Sequence, residues 1–227
     1  MLPINESTVS SLLSVVDHGL VRGLGSPVPG QMCVEAAVCY SLGLPHGDDP
    51  LCVASSLRQF KIRINDANWS SNAARAKGLR RLAVAQLGTK FTLNEQEFTK
   101  RVVIMLVKTT LVDIIDGETL KNQCRSVETL KEAIEAALAL RSRYEYAVAA
   151  AVYAVDAVTA AYVAYVADAA YAAVRAVVRA VVHVAAYAAA HAGNGDKVLS
   201  DFCERVVQIL IDMKAPGCEF LYLTEKR

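Results

Sequence analysis

Four side chains in the first third of the chain have the types and spacing that acid–base chemistry needs. Glu35 is the only acidic residue in the apolar stretch from Gln31 to Leu42. A carboxylate in such surroundings is costly to bury, and burial raises its pKa, so it could serve as a general acid or base. His18, His46 and Asp48 lie in glycine-containing segments on either side and could act as its partners. The alternative is structural, with Glu35 anchoring its helix through an ion pair or a backbone amide.

The chain has six cysteines, and Cys33 and Cys52 lie close in sequence to these groups. Together with His46 and Asp48, either cysteine or His18 could hold zinc or another metal. Cys33 and Cys39 are six residues apart, however, and the chain has no C-x-x-C pair, so buried structural thiols are the simpler interpretation. A Cys–His nucleophile pair stays open, because the spacing singles out no activated thiol. We expect no bound metal, no cofactor, and reduced cysteines in a cytoplasmic protein without a signal peptide.

A second group of candidate residues surrounds the only tryptophan, in the polar segment 65–72. An indole can stack on a base, amides can read a base edge, and arginines can hold phosphates through two hydrogen bonds. The alternative is a capped turn between helices, with the indole filling the core. The predicted ligand-binding residues in and after this segment are Asn65, Asn68, Trp69, Arg75 and Arg80.

Residues 147–192 could supply another part of a binding pocket. Of these 46 residues, 22 are Ala and 12 are Val, so helices formed from them could pack closely. Several polar side chains recur every fourth residue and follow one helix face for two or three steps. Arg175 and Arg179 have this spacing, and their like charges repel each other unless Asp156, Asp168 or a bound phosphate neutralises them. The predicted ligand-binding residues here are Tyr171, Arg175, Arg179 and His183.

Charge is unevenly distributed, although the net charge is only +1. Residues 55–108 contain eleven Lys or Arg and three acidic residues, a local excess of +8. Such an excess favours an anionic partner, or it is a solvated basic face balanced by acids elsewhere. The near-neutral total and the lack of a recognised DNA- or RNA-binding motif argue against nucleic acid. A membrane span is not expected, because charges interrupt the Ala-rich stretch well before the ~20 apolar residues that a bilayer requires.

The elements that position these groups are predicted to be helices, because no segment shows sustained strand alternation. The predicted fold class is therefore all-α, a compact multi-helix bundle with closely packed Ala-rich helices. We expect a single domain, 1–227, with a motif-bearing half (1–125) and an Ala-rich half (126–227). The predicted helices cover residues 7–16, 31–42, 51–66, 73–87 and 197–213, with two more beginning after Asn94 and Thr129.

Local signals add detail to these helices. In the helix over 51–66, the apolar residues are expected on one face and the basic residues on the opposite face. Thr129 and Glu132 have the spacing of a capping box. Asp196 is expected to cap the last helix, and residues 220–223 to form a short extended tail.

The Ala-rich region is too long for one helix of a compact domain. A helix from Thr129 to Ala192 would extend ~96 Å. We therefore expect breaks, with Asp156 and Asp168 as N-caps. The alternative is a protruding helix in a coiled coil, since polar residues recur at a spacing of about 3.45, close to the 3.5 of a left-handed supercoil. Either arrangement is compatible with a homo-oligomer, which we expect.

The first part of the chain contains several short motifs: GQMCVEA at 30–36, GLPHGDDPLC at 43–52, the pair Asn65-Asp66 and the pair Gly88-Thr89. Together they resemble an uncharacterised family of bacterial and phage proteins with a G-x-M-C…E-A block, a G-x-x-H-x-D-x-P-x-C block and an Ala-rich C-terminal half. The resemblance implies no activity and no catalytic residues. It implies that the motifs and the Ala-rich helices belong to one unit, in a bacterial or phage setting.

These patterns predict a protein that captures a small anionic, nucleotide-derived signal. His18, Glu35, His46 and Asp48 are also predicted ligand-binding residues, and the last three would shape the pocket or bind ribose hydroxyls. One form of this function is a phage counter-defence protein that sequesters an immune signalling nucleotide. The first alternative is a hydrolase of a nucleotide-like substrate, metal-dependent or not, that uses Glu35, His46 and Asp48. The second is a helical module for protein interaction or oligomerisation. No complete catalytic constellation is present in the sequence, so binding without turnover is the leading prediction.

Overall fold

A computed structural model of the chain describes residues 4–112, 117–141 and 194–225. Within these ranges the regular elements are helices, and the only β-type pairing is an isolated bridge between Gly25 and Met32. The predicted all-α fold class is confirmed. The α-helices are α1 (Glu6–Asp17), α2 (Val34–Ser41), α3 (Ser55–Asn65), α4 (Asn72–Ala85), α5 (Glu95–Met105), α6 (Glu118–Arg125), α7 (Leu130–Arg141) and α8 (Gly195–Asp212). Shorter segments are the 3-10 helices Thr89–Phe91 and Pro216–Thr224 and the π-helix Leu106–Leu111.

Contacts divide the chain into two compact units. The first unit joins Met1–Glu95 to Gly195–Arg227, and the second comprises Gln96–Asn194. The first unit is thus built from two segments far apart in sequence. The division does not coincide with the boundary at residue 125 that composition suggested.

Helix α4 is the centre of the first unit, where it packs against α1, α2, α8 and the 3-10 helix Pro216–Thr224. Its start is fixed by Ser71, whose hydroxyl accepts a hydrogen bond from the Ala74 amide at 3.0 Å. Leu79 and Leu82 are fully buried. A Cβ on Gly78 would lie 2.3 Å from the Trp69 ring, so glycine is what allows that ring to approach the helix.

Helices α5, α6 and α7 and the π-helix Leu106–Leu111 belong to the second unit, apart from Glu95. Within this unit α6 packs against the π-helix and against α7. The predicted capping box begins α7: the Thr129 hydroxyl accepts from the Glu132 amide at 3.2 Å, and the Glu132 carboxylate accepts from the Thr129 amide at 2.9 Å. The reciprocal pair satisfies amides that a helix start leaves without partners.

Two predictions for the C-terminal segment are wrong. Helix α8 begins at Gly195, so Asp196 lies inside its first turn and does not cap it. The Asp196 carboxylate instead accepts hydrogen bonds from the amide, at 2.8 Å, and the hydroxyl of Ser70. The predicted extended tail is a 3-10 helix, Pro216–Thr224, which packs on α1 and α4.

The segment 142–193 lies outside the described residues, and with it the predicted breaks at Asp156 and Asp168 and the predicted supercoil. Within the described ranges, no helix is both long enough and apolar enough to cross a membrane.

Candidate functional site

The first unit contains an open cleft of ≈ 780 Å³. Its walls are the end of α1, the beginning of α4, the loop at Gly30 and the end of the C-terminal 3-10 helix. The residues that line it are Asp17, His18, Gly19, Gly30, Asn72, Ala73, Ala76, Lys77, Arg80 and Thr224.

One face of α4 forms the floor of this cleft. Ala73, Ala76, Lys77 and Arg80 are spaced i, i+3, i+4 and i+7, which places them on one side of a helix. The first two are small and leave room, whereas the last two are cationic. The cleft therefore combines open space with positive charge on one rigid element.

Another wall is made by the loop at Gly30, which lies against the end of α1. Gly30 has a φ of 82°, and a Cβ at this position would lie 3.0 Å from the carbonyl oxygen of His18. A glycine is required here on both grounds, since side chains rarely adopt this φ. The close approach places Gly30 beside His18, the C-cap of α1, and both residues line the cleft.

Arg80 makes the strongest polar contacts in the cleft. Its Nε and Nη2 donate to Oδ1 and Oδ2 of Asp17 at 2.7 and 3.0 Å, which is a bidentate pair. Its Nη1 donates to the carbonyl oxygen of Thr224. Arg80 therefore joins α4 to the end of α1 and to the C-terminal 3-10 helix.

The other polar groups of the cleft are less engaged. Lys77 is exposed, and no acidic side chain of the described residues lies within ion-pair distance of its ammonium. The Nδ1 of His18 lies 2.7 Å from the Ser14 carbonyl oxygen, so Nδ1 carries the proton and Nε2 stays available. The first turn of α4 adds the partial positive charge of a helix N-terminus. Lys77 and the helix N-terminus favour an anion, whereas the unprotonated Nε2 of His18 can only accept a hydrogen bond.

The sequence did not single out Lys77 or Asp17 as site residues. A signal for Lys77 existed, because it lies four residues after Ala73 and three before Arg80 on one helix face. Asp17 stands in the polar cluster of the first third, next to His18, but its pairing with Arg80 depends on the contact between α1 and α4.

Two predicted ligand-binding residues, Asn65 and Arg75, hold the turn between α3 and α4 together. The Asn65 side chain accepts from the Val34 amide at 3.2 Å and donates to the Val21 carbonyl at 2.8 Å. The Arg75 guanidinium donates to the carbonyl oxygens of Asn65 and Leu20, at 2.7 and 3.0 Å. Both side chains are thereby tied to the backbone rather than directed into the cleft.

Trp69 is 7% exposed, and its indole N–H donates to the Ile64 carbonyl at 2.8 Å. This is the arrangement of the structural alternative, a capped turn with the indole in the core. Asn68, on the same turn, is exposed and does not line the cleft. The cleft and this turn are therefore distinct features of the first unit.

Glu35 is fully buried, and its partner is Lys61 from α3. The Lys61 Nζ lies 3.5 Å from Glu35 Oε2, which is within ion-pair distance but long for a hydrogen bond. No described side chain or amide donates to either carboxylate oxygen. Burial raises the pKa of Glu35 to about 7 against the attraction of Lys61, and burial lowers the pKa of Lys61.

Lys61 corrects a prediction made from the sequence. The basic residues of this helix were expected opposite the apolar face, yet Lys61 is fully buried alongside Leu57 and Phe60. Its position between Phe60 and Ile64 lies within the apolar stripe, so the helical spacing itself held the signal. A buried lysine is tolerated because it compensates Glu35.

His46 and Asp48 are exposed, and His46 Nε2 lies 3.1 Å from the Gly25 carbonyl oxygen. Neither lines the cleft. In the described part of the chain, no three His, Cys, Asp or Glu side chains lie together as a metal site would require.

Cys33, Cys39 and Cys52 of the first unit are buried. The Cys33 sulfur caps α2 by accepting from the Ala36 amide at 3.4 Å. Burial raises the pKa of Cys33 and Cys52, and raises that of Cys39 to about 12. These thiols therefore stay protonated at neutral pH, which is the behaviour of structural cysteines.

Four predicted ligand-binding residues cannot be placed in relation to the cleft. Tyr171, Arg175, Arg179 and His183 lie outside the described residues. The described site therefore consists of the α4 face and the walls around it.

The sequence matches no protein-family model, and searches of curated proteins and of solved structures found no match to this chain. The resemblance to a bacterial and phage family stays a prediction. The functional argument therefore rests on the geometry of the cleft.

Proposed function

We propose that this protein binds a small phosphate-bearing molecule of nucleotide size in the cleft. The observation that carries the proposal is the α4 face, where Lys77 and Arg80 project into a space of ≈ 780 Å³. Small-molecule sites typically occupy about 300 to 1,000 Å³, so this volume suits a nucleotide.

Each polar group of the cleft has a role in this proposal. Lys77 provides a point charge, and Arg80 provides a planar fork that suits phosphate oxygens. The N-terminal turn of α4 favours negative charge. His18 presents the only ring among the described lining residues, so it is the group on which a base would stack.

Binding without turnover is the form of this function that we favour. Glu35, the general base of the hydrolase alternative, is fully buried and does not line the cleft. The buried thiols stay protonated, so none is an activated nucleophile. Sequestration of a nucleotide signal, as in phage counter-defence, remains the biological setting that we propose for such a binder.

The test is isothermal titration calorimetry of the full chain with AMP and with pyrophosphate at low salt. We expect Lys77→Ala to weaken binding about fivefold, because it removes a charge worth roughly 1 kcal/mol at a partly exposed site. The matched control is Lys121→Ala, on α6 in the other unit, which should leave the affinity unchanged.

Two results would contradict the proposal. The first is that neither ligand binds the wild-type protein. The second is that Lys77→Ala binds as tightly as the wild type, just as the Lys121→Ala control does. Native mass spectrometry of protein purified from its producing cells would add the identity of any bound molecule, and a released nucleotide of unchanged mass would support capture over hydrolysis.

A further inference from the structure

We propose that Asp17 is a built-in competitor for the ligand. In the free protein the Asp17 carboxylate is hydrogen-bonded to the guanidinium of Arg80. When the ligand binds, its phosphoryl group takes the place of this carboxylate. The inference rests on the proposed function and assigns a regulatory contact to the same cleft.

The geometry of the pair supports this exchange. Two carboxylate oxygens of Asp17 meet two N–H groups of Arg80 at 2.7 and 3.0 Å. Phosphate oxygens present the same bidentate arrangement to a guanidinium, so the carboxylate stands where a phosphoryl group would bind.

The two partners are held very differently, which decides which one would move. Arg80 has a third contact, to the Thr224 carbonyl, and its side chain is only 19% exposed. The Asp17 side chain is 50% exposed and has no second hydrogen-bond partner among the described residues. When Asp17 swings out, Arg80 stays directed into the cleft by its contact with Thr224.

The summed charge of the cleft determines which anions could displace Asp17. With Asp17 in place, Lys77, Arg80 and Asp17 sum to +1 in the cleft. Without its carboxylate the sum is +2, and attraction for a phosphate rises accordingly. Asp17 therefore lowers the affinity of the cleft for weakly charged anions and leaves it open to phosphates that can displace a carboxylate.

The test compares Asp17→Asn with Asp49→Asn in titrations with AMP and pyrophosphate at fixed ionic strength. Asp49 is the matched control, because it pairs with Arg58 at 2.8 Å and that arginine side chain is also 19% exposed. We expect Asp17→Asn to bind about threefold to fivefold more tightly than the wild type, and Asp49→Asn to bind equally. A gain of affinity is informative, because a purely structural role for Asp17 would weaken binding on its removal.

The outcomes separate this inference from the proposed function. If the wild type binds, Lys77→Ala weakens binding and Asp17→Asn gains nothing, the competitor role is wrong and the binding site stands. If no variant binds either ligand, both fail. Asp17→Ser, which also removes the carboxylate, guards against a folding defect of the first variant. Thermal melting of both confirms that they are folded, and unchanged affinity in both folded variants rejects the inference.

Discussion

The buried pair of Glu35 and Lys61 is the most costly polar feature of the first unit. Each charge loses its hydration on burial, and the attraction across 3.5 Å repays this loss only in part. The result is visible in both groups, since burial raises the pKa of Glu35 and lowers that of Lys61. Each residue is therefore tolerated mainly because the other is present.

This dependence predicts the effect of breaking the pair. Lys61→Met should lower the free energy of unfolding by about 3 to 5 kcal/mol, because it leaves Glu35 buried without a partner. The double variant Glu35→Leu with Lys61→Met should recover most of that loss, since an apolar pair needs no compensation. Urea denaturation of the three proteins measures the difference. Equal losses in the single and double variants would show that the pair is not coupled.

The same pair predicts a pH dependence of stability. The raised pKa of Glu35 contributes stability that is fully present below pH 4.5 and is lost as pH rises through about 7. The lowered pKa of Lys61 imposes a penalty that fades as pH rises towards 10.5. Relative to a Glu35→Gln, Lys61→Met double variant, wild-type stability should therefore be lowest near neutral pH. Denaturation at pH 5, 7 and 10 checks this, and a constant difference would refute it.

At the scale of elements, α4 depends on one glycine to meet its neighbours. A Cβ on Gly78 would lie 2.3 Å from the Trp69 ring and 2.8 Å from the Ser200 hydroxyl on α8. Alanine normally favours a helix over glycine by about 1 kcal/mol. The close approach overrides this preference, because two packed groups would have to move.

Gly78→Ala should therefore destabilise the protein by about 1 to 3 kcal/mol, the typical cost of overpacking a core. The control is Ala73→Gly, on the open face of the same helix, which should cost only the difference in helix propensity. Thermal and urea unfolding of both variants give the comparison. A Gly78→Ala variant more stable than the wild type would mean that Trp69 and α8 can shift at no cost.

Local signals were enough to predict most of these elements. The Thr129–Glu132 box marks a helix start through hydrogen bonds within three residues, so the sequence alone contains it. The cleft could not be predicted in this way. Arg80 meets Asp17 and Thr224 only after distant segments pack together, and their separations of 63 and 144 residues leave no local pattern.

The burial of Lys61 is a second feature that the sequence alone could not predict. Its spacing placed it on the apolar face, but a lysine is expected at the surface unless a buried acid compensates it. Glu35 was recognised as costly to bury, yet the two lie on separate helices, α2 and α3. Only their packing identifies them as partners.

At the scale of the whole molecule, the first unit is assembled from two segments, one before and one after the second unit in the sequence. Helix α8 packs on α4, and the 3-10 helix Pro216–Thr224 closes one side of the cleft. The Tyr222 hydroxyl donates to the Glu6 carboxylate, which ties this helix to α1. The candidate site therefore depends on segments that precede the second unit in the sequence and on one that follows it.

This arrangement sets an order of events on the ribosome. When Glu95 has been synthesised, α4 exists without α8. The leucines of α4 that are buried in the finished protein are not yet covered by α8. At about 5 to 20 residues per second, roughly 6 to 26 seconds pass before Thr224 is added. Through that interval the cleft lacks the wall at Thr224 and the carbonyl oxygen to which Arg80 donates.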